Sequence, residues 1–442
     1  MLTTIAKALT NLIDPWATAH PLRHTMKALL TTARLALPRI LALTSLASSA
    51  VASTPYRCAT DEDCSLNGLC NLVSGGICAC DAGWTGPDCG ALDLRPAKRR
   101  SGYNRTGEGT SSWGARIVRD PSDSQLHHLF AAEFAHGCGL DYWAPYSRIV
   151  RAESREGAAG PYVFADEVAG TFAHNPTVVR SPADQAYLLY YIGCATEVGE
   201  ASSRCAGRKF SCGPGNANNG ESGISVKTSS DLRTWTDAGQ VFPGSNSSTD
   251  WDADVTNPSA FPLYNARDDD DDDDKKTPAI LLAYRGCPYD CLGREQINLA
   301  VAATGYRGPY HRVQADPVFL ADNEDPFVWR DKRGHWHMLT HSLEAEGGFG
   351  NGPKVGRHAY ARDYAGPWTL STQQQRSLAF DTTVRWDDGG EVRFYRRERP
   401  QLMFSEDGEM TPLLLTTGVQ PRGSAMSYTV IVPVGDAGVK AQ

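Results

Sequence analysis

The chain has no uninterrupted apolar run long enough to cross a bilayer. Its most hydrophobic stretch, Leu35-Ala36-Leu37 through Ile40-Leu41-Ala42-Leu43 to Leu46, is broken by Pro38 and Arg39, well short of the ~20 residues a spanning helix needs. No stable membrane span is therefore expected. A broad basic field is also missing: Lys and Arg total 43 against 51 Asp and Glu. Seven of the net −8 charges come from the run Asp268 to Asp274, which leaves the remainder nearly neutral and gives a nucleic acid no footprint. Helical periodicity is scarce, because the apolar runs are short, β-branched and punctuated by Gly and Pro, which points to an all-β fold. No grouping of His, Cys and Asp has the spacing of a metal site, so none is expected.

The amino-terminal stretch is a targeting segment. Residues 1–52 are an extension followed by a secretory signal that starts at Met26-Lys27 and ends in the small-x-small sequence Ala50-Val51-Ala52. Cys58, Cys64, Cys70, Cys78, Cys80 and Cys89 follow within a short span, with Gly83-Trp84 between the last two. So small a segment buries too little apolar surface to fold unaided, so cross-links formed in an oxidising compartment must hold it. Spacing alone leaves fifteen pairings open. Interleaved His, which zinc would favour, is absent, and Ser53-Thr54-Pro55-Tyr56-Arg57 lacks the acidic pattern of calcium-binding versions. The spacing resembles an epidermal-growth-factor-like module over residues 53–92. That resemblance implies Cys58 with Cys70, Cys64 with Cys78, and Cys80 with Cys89.

Residues 93–110, including Ala97-Lys98-Arg99-Arg100, read as an exposed basic linker, and 437–442 as a tail. Between them, 111–436 carry one pattern five times. Glu324-Asp325-Pro326-Phe327-Val328-Trp329 runs into an Asp331 turn and returns through Trp336-His337-Met338-Leu339-Thr340-His341, a hairpin. His174-Asn175-Pro176, Thr256-Asn257-Pro258 and Glu398-Arg399-Pro400 open three further copies, and Trp113-Gly114-Ala115 opens a degenerate first copy without the Pro. Third strands end in Gly160-Pro161-Tyr162, Gly308-Pro309-Tyr310 and Gly366-Pro367-Trp368, or in copy two at Ser230-Asp231-Leu232-Arg233-Thr234-Trp235, with the aromatic expected between sheets. Five copies of four strands make a five-bladed β-propeller. The aspartate run is a solvated insertion within the third copy. Asn104-Arg105-Thr106 and Asn246-Ser247-Ser248 are glycosylation acceptors.

Propeller geometry gathers the strand openings at one mouth. The first ring is Trp113, His174 with Asn175, Thr256 with Asn257, Glu324 with Asp325, and Glu398 with Arg399; the returning strands add Glu133, His136, Tyr191, Arg285 and His341. The Asn-Pro and Asp-Pro openings, the Ser-Asp-Leu-Arg-Thr-Trp turn and the number of copies resemble the five-bladed propeller glycosidases, the superfamily of glycoside hydrolase families 43, 32 and 117. The resemblance implies hydrolysis of glycosidic bonds by carboxylates in the axial pocket, with no redox cofactor and a polysaccharide or glycan as partner. Asp325 then stands as the ionised carboxylate, with Glu398 or Glu133 as the acid. Arg285 and Arg399 are placed to clamp a uronate or sulfate, and Trp113 and Tyr191 to stack on a sugar. Two departures are plain: the resembled families usually open the first blade with an Asp-Pro, and here Trp113-Gly114-Ala115 stands at that place without an acid, and the middle blade offers Asn257 where they carry a Glu. The alternatives are an inactive glycan-binding or adhesion propeller, for which the small module offers a protein-partner surface, and a matrix-assembly disc. All three place the protein outside the cell.

Overall fold

The structure, a computed structural model, describes residues 56–195, 201, 205–206, 222–245, 247, 249–264, 278–291, 293–343, 355–371 and 378–442. The proposed signal segment, the aspartate run and Asn246 lie outside the described residues. Among the described residues, no helix is long and apolar enough to cross a membrane.

In the small module, too few apolar residues are present for a core, and sulfur takes its place. Strands β1 (Gly68–Asn71) and β2 (Ile77–Cys80) pair as a hairpin, and β3 (Trp84–Thr85) pairs with β4 (Ala91–Leu92). Disulfides Cys58–Cys70, Cys64–Cys78 and Cys80–Cys89 hold them, the pairing implied by the EGF resemblance.

The repeated pattern folds as five antiparallel sheets. Blade 1 contains β5 (Ser112–Arg119), β6 (His127–Phe134), β7 (Ser147–Ser154) and β8 (Val163–Ala169). Blade 2 contains β9 (His174–Ser181), β10 (Ala186–Cys194), β11 (Ser222–Ser229) and β12 (Thr236–Pro243). Blade 3 contains β13 (Asp254–Tyr264), β14 (Pro278–Cys287), β15 (Gln296–Ala302) and β16 (Tyr310–Arg312). Blade 4 contains β17 (Asn323–Arg330), β18 (Trp336–Ser342), β19 (Gly356–Ala361) and β20 (Thr369–Leu370). A hairpin of β21 (Thr383–Arg385) and β22 (Glu391–Arg393) precedes blade 5, which has three strands: β23 (Arg396–Phe404), β24 (Pro412–Gln420) and β25 (Tyr428–Pro433).

Burial between sheets closes the ring. One apolar cluster joins blades 1 and 2 around Phe130 and Leu189, and another joins 2 and 3 around Tyr190 and Tyr284. Blades 3 and 4 share Leu281 and Met338, blades 4 and 5 share Trp329 and Leu415, and blades 5 and 1 share Ile431 and Ile117. The aromatics that follow the strand turns fill these seams. Tyr310 bonds Tyr190 across blades at 3.0 Å between hydroxyls, Tyr162 packs with Leu414, and Trp235 meets Phe130 edge-on at 5.3 Å.

The segment read as an exposed linker is instead built into the propeller. Tyr103 exchanges two backbone hydrogen bonds with Thr429 on β25, at 2.9 and 3.1 Å, and Arg95 N–H donates to Pro433 at 2.9 Å. Ala97 and Tyr103 are fully buried. This strap supplies the outer edge that blade 5 lacks, and so satisfies backbone groups that an open edge would leave exposed. Lys98, Arg99 and Arg100 keep the exposed character that their charge predicts, Arg99 pairing with Asp388 and Arg100 with Glu156.

Of the six later cysteines, closeness in sequence leads one to expect Cys205 with Cys212 and Cys287 with Cys291, which leaves Cys138 with Cys194 to tie adjacent blades; two of these three expectations are overturned. Cys287 pairs with Cys291 as expected, but Cys138 pairs with Cys205, which rules out both expected partners of that pair; Cys212 lies outside the described residues. Closeness in sequence favours short loops, whereas the fold brings Cys138 and Cys205 together across 67 residues.

Candidate active site

Each innermost strand is interrupted at the same point by a β-bulge. The register against the second strand slips between Trp113 and Ala115, between Thr256 and Ser259, between Glu324 and Phe327 and between Glu398 and Gln401, with the matching slip in blade 2 at Tyr190 and Ile192. The residue at the bulge has positive φ in all five blades: Gly114 at 50°, Asn175 at 51°, Asn257 at 52°, Asp325 at 56° and Arg399 at 56°. That region suits Gly, Asn and Asp and strains Arg. The bulge turns these side chains from the sheet face toward the axis.

There they bond one another across four blades. Asn175 Nδ2 donates to Asn257 Oδ1 at 2.9 Å, and Asn257 Nδ2 donates to Asp325 Oδ1 at 2.9 Å. The Arg399 N–H donates to Asp325 Oδ2 at 3.0 Å, and its guanidinium donates to the carbonyls of Asn175 and Pro258 at 3.0 and 2.8 Å. The missing first-blade side chain is what lets Arg399 lie so: a Cβ on Gly114 would come within 2.4 Å of Arg399 Cγ. One tier below, Thr177 and Gln401 bond at 3.0 Å between blades 2 and 5 and plug the axis.

Above this plug lies a cavity of about 730 Å³. Of the expected residues, Trp113, His174, Asn175, Asn257, Arg285, Glu324, Asp325 and Glu398 line it. His341 stands directly behind: its Nδ1 is 3.0 Å from Glu324 and 3.9 Å from Asp325, and its Nε2 is 3.7 Å from Glu398. Burial alone would lower the His341 pKa, but the Glu398, Glu324 and Asp325 carboxylates outweigh it and raise it. Burial likewise opposes ionisation of Glu324, yet His341, Arg285 and Arg396 hold its pKa down. Asp325 goes the other way, its pKa raised by burial and by Glu324, with Arg399 and His341 opposing. These groups titrate as a unit. His174 is neutral, lowered to about 3 by burial and Arg399, with its Nδ1 at 2.7 Å from the Ser147 hydroxyl.

Other expected residues lie elsewhere. Glu133 opposes Ser112, upstream of the bulge, and faces the strap. It accepts from Tyr103 at 2.5 Å, Arg105 at 3.0 Å and Arg148 at 2.6 Å, which anchors the strap and removes it from the cavity. Tyr191, freed from pairing with β9 by the blade 2 slip, packs with Phe130 and Ile149 between blades 1 and 2. His136 is exposed on a loop, bonded to the Ala201 carbonyl at 3.2 Å. Arg399 supports the floor from beneath rather than clamping a ligand.

The cavity also has walls that sequence reasoning missed. Glu295, immediately before β15, lines it; burial raises its pKa, the Glu324 carboxylate and a hydrogen bond to it reinforce this, and Arg285 at 2.8 Å opposes it. Trp143 lines it too, its ring 4.7 Å from that of His174. Asp141 and Arg396 complete the rim. Donor atoms of Glu324, Asp325, His341 and Glu398 all lie within 4.8 Å of one another, a set able to receive a hard divalent cation. In the structure Arg285 supplies positive charge to Glu324, Arg396 to Glu398 and Arg399 to Asp325.

Comparison with known proteins bears on the two parts separately. Residues 60–91 match the family described as Teneurin-like EGF domain. No curated protein matches the chain. Among solved structures, a complex of BT0996 with RGII is similar at TM-score 0.50 and 10% identity, covering 84% of this protein and 95% of that one, a likeness of fold. The α-L-arabinofuranosidase PaAbf62A from Podospora anserina gives TM-score 0.49 at 13% identity, covering 76% and 94%. Zg3597, a family 117 glycoside hydrolase from Zobellia galactanivorans, gives 0.48 at 14%, covering 80% and 92%.

Proposed function

We propose that this is an exported carbohydrate-active protein whose axial cavity hydrolyses a glycosidic bond in a polysaccharide or glycan. The observation that carries this reading is the crowding of Glu295, Glu324, Asp325 and Glu398 in one cavity, where burial and neighbouring carboxylates push the pKa of Glu295 and Asp325 up while His341, Arg285 and Arg396 pull that of Glu324 down. Environments that push carboxyl pKa values apart set the acid and the base of such a reaction. Retaining pairs stand about 5–5.5 Å apart and inverting pairs about 6.5–9.5 Å. Glu324, Asp325 and Glu398 crowd together around His341, and Asp325 is tied into the floor, so the acid is assigned to a carboxyl outside that trio. Glu295 is the proton donor to the leaving oxygen, since burial and Glu324 favour its protonated form. Glu398, with Arg396 at 4.0 Å and His341 at 3.7 Å, is the carboxylate facing the anomeric carbon. Asp325 fixes the floor through Asn257 and Arg399, while Trp113 and Trp143 bound the sugar laterally. Disulfides in the small module support an oxidising, extracellular setting. The exposed Leu72 and Val73 at its hairpin turn offer a protein-partner surface.

Glycan binding without turnover is the second reading, favoured by Gly114, which leaves blade 1 without an axial acid. Sugar release from a polysaccharide panel separates the two. Wild type is expected to release sugar, and Glu295→Gln and Glu398→Gln to fall by about 10²–10⁴ while still binding. No release by any of the three, with equal glycan binding by all, would replace hydrolysis with recognition.

A further inference from the structure

Resting on the carbohydrate reading, we infer that the substrate is an anionic saccharide, whose carboxylate or sulfate sits beside the axial cavity against Arg396 and Arg422. A second lobe of about 440 Å³ adjoins the first, sharing Asp141 and Arg396 with it and continuing along Tyr395, Gln420, Arg422, Gly423 and Ser424. Its size falls in the range of small-ligand sites, about 300–1,000 Å³.

The arginines at this end of the propeller differ in whether their guanidinium is already used. Arg285 is held by Glu295 at 2.8 Å. Arg397 donates to Thr417 Oγ1 and to the carbonyls of Asp381 and Thr383, at 3.2, 3.2 and 2.9 Å. Arg399 is committed to backbone carbonyls of blades 2 and 3. Arg396 is not used in this way. It makes no side-chain hydrogen bond among the described residues, its Nε is buried without a partner, and its nearest carboxylate, Glu398, is 4.0 Å away. Arg422 is exposed at the far side of the same lobe, with no ion pair among the described residues. The neutral polar groups there are already satisfied: Gln420 Nε2 donates to Ser424 O at 2.9 Å, and Ser424 Oγ donates to Met426 O at 3.2 Å.

Among the described residues, two guanidiniums without hydrogen-bond partners therefore face one lobe, with the exposed Asp141 at its boundary. A planar fork of donors with no acceptor of its own matches a carboxylate or a sulfate ester. Because Arg396 lines both lobes, the anion belongs to a sugar unit next to the one in the axial cavity. The uronate or sulfate clamp expected at Arg285 and Arg399 is thus moved to a different pair.

Calorimetric titration with matched oligosaccharides tests this. The probes are oligogalacturonides, the same oligomers after carboxyl reduction, and a sulfated galactan oligosaccharide. Expected is at least tenfold tighter binding of one anionic probe over the reduced one, weakening as salt rises. Which anion wins tells uronate from sulfate. Arg422→Gln, an exposed change without folding risk, should lower the anionic-to-neutral ratio at least threefold, and Arg396→Gln/Arg422→Gln should abolish it. Equal binding of all three probes overturns the inference and leaves the carbohydrate reading standing, as does a ratio that survives the double variant. No binding of any probe by folded protein overturns both.

Discussion

Strand β18 carries two buried histidines, four residues apart on one face and so about 13 Å from each other along the strand, whose pKa values shift in opposite directions. His337 faces the small module. Its Nδ1 is 3.0 Å from His358 Nε2, its Nε2 is 3.4 Å from Asp331, and Trp329 stacks on it at 5.3 Å. Burial lowers its pKa, and Asp331 alone cannot restore it against His335 and Arg333. His341, at the cavity end, is as deeply buried, yet Glu398, Glu324 and Asp325 raise it. Desolvation is common to both, so the number of carboxylates in reach decides. One end of the blade is an aromatic joint that disfavours the imidazolium and the other a carboxylate floor that favours it.

Removing each imidazole should separate the two ends. His341→Leu leaves crowded carboxylates without their cation, and about 3–5 kcal/mol of stability should be lost in urea unfolding. His337→Leu, amid Trp329 and Trp84, should cost only about 1–2 kcal/mol, the loss from leaving neutral partners unbonded. Equal costs would end the contrast.

The pH dependence should differ in sign. With a raised folded pKa, His341 contributes stability that is full below about pH 6.5 and lost as pH rises through its folded value. With a lowered one, His337 costs stability as pH falls below about 6.5. Melting temperature against pH is expected to flatten on its alkaline limb in His341→Leu and on its acid limb in His337→Leu.

A change of about the same size as His337→Leu sharpens the cavity end without touching a charge. Gly114→Ala puts a Cβ against Arg399 at a φ of 50° and should cost about 1–2 kcal/mol in the denaturation midpoint. An unchanged midpoint would mean that Arg399 is not held by that contact.

The five sheets were legible because Pro at a fixed place and period-two alternation are local signals, and so were the axial Asn175, Asn257 and Asp325, residue types that tolerate positive φ. What was hidden was non-local. Glu295 precedes a third strand, where the repeats share no marker, and Trp143 sits in an insertion between β6 and β7. Glu133 and Tyr191 were misplaced because a one-residue slip at a bulge sends a side chain to the other face. Nothing in the basic stretch around Lys98 announces that Ala97 and Tyr103 bind the last blade.

The same few residues tie the module to the disc mechanically. Trp84 lies against Trp329, Arg333 reaches Asp81 and the Leu66 carbonyl, and the strap runs on from β4 to β25. A pull on the module would therefore reach blade 4 through Trp329 and Arg333 and the last blade through the strap. Whatever the module grips would thereby orient the mouth of the cavity.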